Sequence, residues 1–347
     1  MNIFLINGSP KGQNSNSLKL SYAFINGIKC KVKEKIEIRE ATLSKLNIQS
    51  CKGCFSCWKS TPGKCCIQDD MVQIIENQLW ADIIIFSFPL YYSNVPGILK
   101  NMIDRQLPMN LPFMSDRTDG YGNGCHEQRY DLTNKKNVLI STCGFFTSEG
   151  NYDSVISMFN HTLGKNNFET IFCGQGELFS VKELTTKTNE YLSKVEKAGK
   201  DFILEKKISE ETKNQLQELL FPKEVFERMA DASWGIDKKE NSQNDESKTF
   251  TKQMAALYNY KNFDGKERIL EMYYTDINKT YQIILTANGS EFIENPDRQF
   301  TTRIETSFNT WLSISRGELN GIKALITGKY KVLGDISLMI KWSKFFG

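Results

Sequence analysis

The chain is 347 residues long, 40% hydrophobic and 24% charged, with a formal net charge of +3. That length suits about two ordinary domains, and so small a net charge asks for neither nucleic acid nor an anionic membrane as partner of the whole chain. Only 2 histidines are present, so histidine-based acid–base catalysis has little to draw on.

The first element is a short apolar strand, Ile3-Phe4-Leu5-Ile6, within Met1 to Asn7. It breaks into Gly8-Ser9-Pro10-Lys11-Gly12-Gln13-Asn14-Ser15-Asn16-Ser17, and a helix is expected from Leu18 to about Ile28. Unpaired N–H groups at a helix start point into such a loop, and the helix dipole favours negative charge there. The hydroxyls of Ser9, Ser15 and Ser17 and the amide of Asn16 add neutral donors, a set that suits a phosphate monoester. Neither Gly-Lys-Ser/Thr nor Gly-x-Gly-x-x-Gly occurs, so this is not a Walker loop or a dinucleotide fingerprint. Taken alone, a serine-rich turn with an ordinary helix cap accounts for it equally well.

Of 9 cysteines, Cys51, Cys54 and Cys57 are spaced by two residues, and Cys65 and Cys66 follow a Pro62-Gly63 turn. Four closely spaced thiolates can hold zinc or an iron–sulfur cluster. Neither His126 nor His161 lies near them in sequence, which disfavours zinc. No secretory signal, transit peptide or long apolar span precedes the group, so a cytoplasmic, reducing setting is expected and a disulfide framework is disfavoured. The plainer alternative is a packed loop around Gly53, Phe55 and Trp58. Cys30, Cys125, Cys143 and Cys173 read as small, buried or half-buried hydrophobes.

Ala81 to Phe88 is an apolar, β-branched run of the buried parallel type. It ends in Pro89-Leu90-Tyr91-Tyr92-Ser93-Asn94-Val95-Pro96, before a helical Gly97 to Arg105. A third run, Asn137 to Thr142, ends in Cys143-Gly144-Phe145-Phe146. Three loops are thus expected at the carboxyl ends of parallel strands, the edge where open α/β sheets bind ligands.

In order, Gly8-Ser9-Pro10-Lys11 with Ser15-Asn16-Ser17, the Cys51-x-x-Cys54-x-x-Cys57 group, Asp69-Asp70-Met71, Pro89-Leu90-Tyr91-Tyr92, Lys100 and Asp104-Arg105 resemble the flavodoxin-fold NAD(P)H-dependent FMN reductases. Within these they are similar to the branch that includes iron–sulfur flavoproteins. The resemblance covers roughly residues 1–205. It implies that Ser9, Lys11, Ser15, Asn16 and Ser17 hold the FMN phosphate. Pro89, Leu90, Tyr91, Tyr92, Ser93 and Asn94 would border the ribityl chain and the isoalloxazine ring, with Thr142, Cys143, Gly144 and Phe145 as a third wall. Aromatic faces would cover the ring and backbone N–H groups its polar edge. Cys51, Cys54, Cys57 and Cys65 resemble the compact motif for a 4Fe-4S iron–sulfur cluster, although Cys65 follows Cys57 at a longer interval than that motif leads one to expect. Relatives are commonly dimers or tetramers, so the resemblance implies a homo-oligomer.

Pro108 to Lys136 is a long insert beside the binding edge, read as a candidate lid or substrate wall. Phe168 to Cys173 is expected as the last strand and Glu190 to Lys206 as a closing helix. One or two helices follow over Ser209 to Ser233, and Lys238 to Lys248, without an apolar residue, reads as a linker.

The last hundred or so residues change character. Glu267 to Tyr274, Thr280 to Thr286 and Thr301 to Glu305 read as antiparallel strands, with Asn288-Gly289 as a hairpin signal. Helices are expected over Ser307 to Ser315 and Leu319 to Thr327, then a strand over Gly328 to Gly334. A terminal helix is expected over Asp335 to Phe346, capped by Asp335. Trp311-Leu312, Arg316-Gly317-Glu318-Leu319, Lys323-Ala324, Thr327-Gly328-Lys329 and Gly334-Asp335 resemble the sterol-carrier-protein lipid-transfer domain. That resemblance implies an apolar tunnel or core lined by Trp311, Leu325, Ile326, Leu338, Met339, Trp342 and Phe345.

The expected organisation is an α/β, flavodoxin-like doubly wound parallel sheet over 1–207, a helical connector and polar linker over 208–249, and a smaller α+β sterol-carrier-like domain over 250–347. The expected function is an FMN-dependent oxidoreductase taking hydride from NADPH or NADH. Its second acceptor would be a quinone, a small oxidant or a redox protein. The alternative is a lipid-binding or lipid-transfer protein whose flavodoxin-like half is a redox sensor or scaffold. No nucleic acid partner and no transmembrane segment are expected, and an apolar lipid is the candidate ligand of the C-terminal domain.

Overall fold

Continuous apolar runs that cannot leave either face in water must become interior strands, and three such runs form the middle of the first sheet. The computed structural model describes residues 1–122, 124–234 and 245–346. In the first half, β1 (Asn2–Asn7), α1 (Asn16–Lys31), β2 (Glu37–Thr42), α2 (Met71–Trp80), β3 (Ile83–Pro89) and α3 (Gly97–Asp104) follow one another. A hairpin of β4 (Asn110–Ser115) and β5 (Cys125–Gln128) comes next. Then come β6 (Lys136–Thr142), α4 (Asp153–Leu163), β7 (Glu169–Cys173), α5 (Thr185–Glu205) and α6 (Glu210–Gln217).

The sheet order is β2-β1-β3-β6-β7, and every neighbouring pair is parallel. Numbered within the sheet this is 2-1-3-4-5, the doubly wound order whose switch point lies between its first and third strands. β1, β3 and β6 are buried almost throughout. Phe4, Ile6, Phe86, Phe88, Leu139, Leu99, Met102 and Phe159 join one core on one face of the sheet. On the other face α1 and α5 pack closely, with Phe24 against Phe202 at 5.5 Å between ring centroids.

The edge strand β2 was not expected. Glu37, Arg39 and Glu40 stand exposed on it, so the apolar run that marks interior strands is missing. The insert after α3 is the β4–β5 hairpin rather than an irregular loop.

The chain divides into two units, Met1–Val181 with Thr185–Leu220, and Lys182–Leu184 with the chain from Phe221 onward. The second contains α7 (Lys223–Ser233), α8 (Glu246–Ala256), β8 (Arg268–Tyr274), β9 (Lys279–Thr286), β10 (Gly289–Ile293) and β11 (Thr302–Thr306). It ends with α9 (Phe308–Ser315), α10 (Gly321–Ile326), β12 (Tyr330–Gly334), α11 (Ser337–Ile340) and α12 (Trp342–Phe346). The expected linker lies outside the described residues over 238–244, whereas Glu246 to Lys248 begin α8, capped by Asp245, whose carboxylate accepts from the Ser247 and Lys248 N–H groups.

The second sheet has the order β10-β9-β8-β11-β12. The hairpin lies where the sequence signalled it, but its two turn residues are Ala287-Asn288, Gly289 already pairing with Thr286 at the start of β10; β11 lies parallel to β8 rather than antiparallel. The terminal helix is two short ones, α11 and α12, with Asp335 accepting from the Ser337 N–H at 2.9 Å. Met254, Tyr258, Leu270, Met272, Ile283 and Trp311 lie in the core of this unit. No helix among the described residues is long and apolar enough to cross a membrane.

Candidate functional site

The parallel register aligns the strand ends that carry the three expected loops. Asn7 of β1 lies opposite Ser87 of β3, and Pro89 of β3 opposite Thr142 of β6. Backbone bonds continue the alignment into the loops: the Gly8 N–H donates to Ser87 O at 2.8 Å and the Leu90 N–H to Thr142 O at 2.9 Å. The loops after β1, β3 and β6 therefore share one edge, at the switch point of the sheet.

The first loop forms the floor. Ser9, Ser15, Asn16 and Ser17 are all buried. The Asn7 amide folds the loop back by donating to Gly12 O at 2.9 Å while accepting from the Ser9 N–H. Gly12, at φ +55°, takes a left-handed turn that a side chain would resist. Ser17 Oγ lies 2.8 Å from Thr142 Oγ1, and Asn16 Nδ2 donates to Gly176 O at 2.9 Å, so these two side chains tie the floor to its neighbours. Lys11 is half-exposed and pairs with Glu177 at 3.3 Å. The start of α1 has no side-chain cap from Ser15. A buried helix start without its own cap is a ready anion site, and this observation fits a phosphate group.

The second loop forms the rim. The Tyr91 N–H donates to Asn94 O and the Asn94 N–H to Tyr91 O, at 2.8 and 2.9 Å. These bonds close a two-residue turn on Tyr92 and Ser93, both left-handed at φ +49° and +62°. Such a turn ordinarily uses Asn-Gly. Here it holds Tyr92 wholly in solvent, with Tyr91 44% exposed. Pro89, Leu90 and Asn94 are half-buried and Ser93 is exposed, and Ser93 O accepts from Ser154 Oγ. Replacing Ser93 by Gly removes a strain of about 1–2 kcal/mol and adds unfolded-chain entropy of about 0.4–1 kcal/mol. Urea titration of Ser93→Gly is expected to show a net gain of about 0.5–1 kcal/mol, and a loss would contradict this account of the turn.

In the third loop Thr142 and Cys143 are buried while Gly144 and Phe145 are exposed. Burial pushes the Cys143 thiol above its ordinary pKa, which leaves it an inert neutral group. All the residues expected at the flavin loops thus lie along this edge, with a polar buried floor and an aromatic exposed rim.

The cysteine loop hangs between β2 and α2. Cys51, Cys54 and Cys66 are exposed, Cys65 is half-buried and Cys57 is buried. Cys54 Sγ lies 3.6 Å from Cys66 Sγ, a residue outside the expected set. Cys65 Sγ instead accepts from the Ile67 N–H. Hydrogen bonds from Ser56, and then from Cys66, lower the Cys54 thiol to about 7. Burial first, and then the neighbouring Cys65, raise that of Cys57, with smaller effects from Cys54 and Cys51. Cys57 therefore feels the other three expected thiols, and four thiolates are a donor set of the kind an iron–sulfur cluster needs. Among the described residues, no three His, Cys, Asp or Glu side chains converge as they would around a single metal ion. Trp58 pins the loop to the hairpin, donating to Asn110 O at 3.0 Å and packing on His126 at 4.7 Å between ring centroids.

The neck of this loop is closed by residues whose role the sequence did not reveal. Asp69 and Arg105 form a fully buried pair at 2.7 Å. Asp69 also accepts from the Gln49 and Met71 N–H groups, and Asp70 from the Asn47 N–H.

In the C-terminal unit Trp311, Leu338 and Phe345 are buried, and Leu325, Met339 and Trp342 pack on the same core. Trp311 meets Trp342 edge-on at 5.5 Å. Ile326 does not join them. It is 80% exposed, because α10 turns Ala324 and Leu325 inward instead.

Residues 1–192 match a family described by its flavodoxin-like fold, and residues 251–347 the SCP-2 sterol transfer family. An iron–sulfur flavoprotein of Archaeoglobus fulgidus is 38% identical over 165 residues, 48% of this chain and 70% of that one. An iron–sulfur flavoprotein of Methanocaldococcus jannaschii is 37% identical over 105 residues, 30% of this chain, and the match spans 50% of that relative's length. An NAD(P)H:quinone oxidoreductase from Methanothermobacter marburgensis superposes with a TM-score of 0.42 at 18% identity, over 58% of this chain and 96% of that one. That likeness is too slight to bear on the chemistry. Through residues 1–192 the chain belongs to the family with the flavodoxin-like fold, joined to a segment matching the SCP-2 sterol transfer family.

Proposed function

We propose that this chain is an FMN-dependent oxidoreductase that accepts hydride from NADPH or NADH and passes electrons to a second acceptor. The observation that carries the reading is the buried, uncapped start of α1 with Ser9, Ser15, Asn16 and Ser17 around it, facing the switch point of the sheet. Its names for kin agree, since the relatives reported above are iron–sulfur flavoproteins.

In this reading the N–H groups at the start of α1 hold the phosphate, and Lys11 supplies a nearby positive charge. Tyr91, Tyr92 and Phe145 cover an aromatic ring, while the backbone of the Pro89–Asn94 and Thr142–Phe145 loops bonds its polar edge. The flavin, when bound, supplies the hydride acceptance and electron transfer. The chain's own work is to bind, orient and shield. Quinones, small oxidants and redox proteins are the acceptor classes in view. Cys51, Cys54, Cys57 and Cys65 are the candidate ligands of an iron–sulfur cluster, which iron and sulfide analysis of protein purified without oxygen would establish. A homo-oligomer, with the exposed Tyr92 rim near its interface, belongs to the same proposal.

Equilibrium binding tests the phosphate site directly. The protein is expected to quench the fluorescence of FMN and to bind it about 100-fold more tightly than riboflavin, because the charged group gains hydrogen bonds to ionised oxygens of roughly 1.5–3 kcal/mol each. Equal affinities would remove the phosphate-site reading.

A second reading is favoured by the C-terminal match and the apolar core around Trp311. In it the second unit binds an apolar lipid, and the first serves as a redox sensor or scaffold. Lipid carried through purification and released on native mass analysis of the whole chain would support it.

A further inference from the structure

The cysteine loop holds one thiol more than a four-ligand cluster uses. Cys65 and Cys66 are neighbours in sequence but stand in different surroundings. Cys65 is half-buried, and its Sγ accepts from the Ile67 N–H. Cys66 is exposed, and its Sγ lies 3.6 Å from Cys54 Sγ. Cys54 is exposed as well, so a small oxidant in solution reaches both sulfurs of this pair.

The loop's own backbone brings the two together. The Thr61 N–H donates to Ser56 O at 2.8 Å and the Gly63 N–H to Cys57 O at 2.9 Å. Thr61 Oγ1 donates to Lys64 O at 2.8 Å. These bonds draw residues 56 to 64 into a turn whose two stems carry Cys54 and Cys66, 12 positions apart. Cys54 itself stands between two left-handed residues, Gly53 at φ +62° and Phe55 at φ +56°. Glycine takes that conformation freely, whereas phenylalanine takes it against its own preference. Such strain is characteristic of functional positions. A disulfide needs the sulfurs to close to about 2.05 Å, a shift that rotation of two exposed side chains can supply.

We propose that Cys54 and Cys66 form a reversible dithiol–disulfide couple that responds to peroxides. One thiolate attacks a peroxide oxygen, the O–O bond breaks, and the leaving hydroxide takes a proton to become water. The attacked oxygen stays on sulfur as a sulfenic acid. The second thiol then attacks that sulfur, the S–S bond forms, the S–O bond breaks, and a second water leaves. Two thiols are oxidised by two electrons and one peroxide is reduced to two waters. An exposed disulfide is the labile kind, which dithiols reopen by exchange. The couple stands on the loop geometry alone. Its consequence rests on the cluster reading above: Cys54 is a candidate ligand, and a disulfide withdraws its thiolate from iron.

Thiol counting and peptide mapping test the couple on the whole chain, freed of iron by a chelator under reducing conditions and desalted without oxygen. Stoichiometric hydrogen peroxide is expected to remove two of the 9 thiols, and dithiothreitol to restore them. The digest is expected to contain one cross-link, which Cys66→Ser abolishes and which Cys57→Ser and Cys65→Ser retain. Cys66 is exposed, so circular dichroism of Cys66→Ser is expected to match the parent. No cross-link, a cross-link that survives Cys66→Ser, or one lost in Cys65→Ser would overturn the proposal. Iron and sulfide uptake separates the couple from the cluster reading. The disulfide form is expected to take up at least tenfold less than the reduced form, and equal uptake by both would overturn the withdrawal of Cys54. Uptake by neither form, with the cross-link present, would remove the cluster reading and uphold the couple.

Discussion

Asp69→Asn is expected to lower the folding free energy by about 3–5 kcal/mol, the range seen when one member of a buried ion pair is removed. Both side chains are sealed from water, at 0% exposure for Asp69 and 1% for Arg105. The two carboxylate oxygens accept from the two terminal nitrogens of Arg105 at 2.7 and 2.9 Å. Arg105 also donates to Gln49 O at 2.7 Å. The pair thereby fastens residue 49 to residue 69 and both to the end of α3, closing the neck from which the cysteine loop hangs. An amide at position 69 leaves the guanidinium buried without a counter-charge and turns a donor toward it.

The pH dependence has a definite sign. Burial works to raise the Asp69 carboxyl, but the hydrogen bonds from Arg105 and from the Gln49 and Met71 N–H groups outweigh it and hold it below the usual carboxylate range. A group with a depressed folded pKa contributes stability that is fully present above its unfolded pKa, about 3.9 for Asp, and is lost as pH falls through the folded value. Denaturant titrations of the parent should therefore weaken below about pH 4 more steeply than those of Asp69→Asn. The double variant Asp69→Leu/Arg105→Met is expected to recover most of the loss, since apolar replacement of a buried pair is often neutral. A loss under about 1 kcal/mol, or parallel pH profiles, would contradict this assignment.

Gly199→Ala is expected to destabilise the first unit by about 2–4 kcal/mol, through overpacking where no side chain can yield. A Cβ at Gly199 would stand 2.0 Å from Phe24 O, and one at Gly27 would stand 2.0 Å from Glu196 O. The obstacles are backbone atoms of the facing helix, so relief requires α1 and α5 to part. Neither glycine has a left-handed φ. Their requirement is closeness alone, and it offsets the roughly 1 kcal/mol that glycine costs inside a helix. Because α1 begins at the floor of the proposed phosphate site, its displacement should also weaken FMN binding, far from any contact with the ligand. Urea unfolding within about 0.5 kcal/mol of the parent, with unchanged FMN affinity, would show that the crossing has slack.

What the sequence made legible is what local periodicity and loop chemistry encode. The runs around Phe4, Ile85 and Leu139 declare interior strands because apolar residues fill both faces, and once these are parallel the three loops must share an edge. The charged strand β2 and the half-exposed β10 carry no such signal. The parallel pairing of β11 with β8 is a fact of topology that no window of residues contains. Asp69 and Arg105 were visible as motif members but not as partners, since their contact spans 36 positions. A carboxylate beside the cysteines and an arginine at the end of a helix were the available signs. Ile326 shows the limit in the other direction, because an apolar residue at helical spacing reads as core whether the helix turns it inward or out. The break between α11 and α12 at Lys341 likewise leaves no mark in an apolar-faced stretch.

The central claim is that the edge formed by the loops after β1, β3 and β6 holds a flavin that NADPH or NADH can reduce. The visible absorption spectrum of the whole chain, purified without oxygen and recorded before and after adding either nucleotide, tests it most directly. Flavin bands that bleach on addition are the predicted result. A colourless protein that also fails to take up added FMN would contradict the account and leave lipid binding by the C-terminal unit as the better reading of the chain.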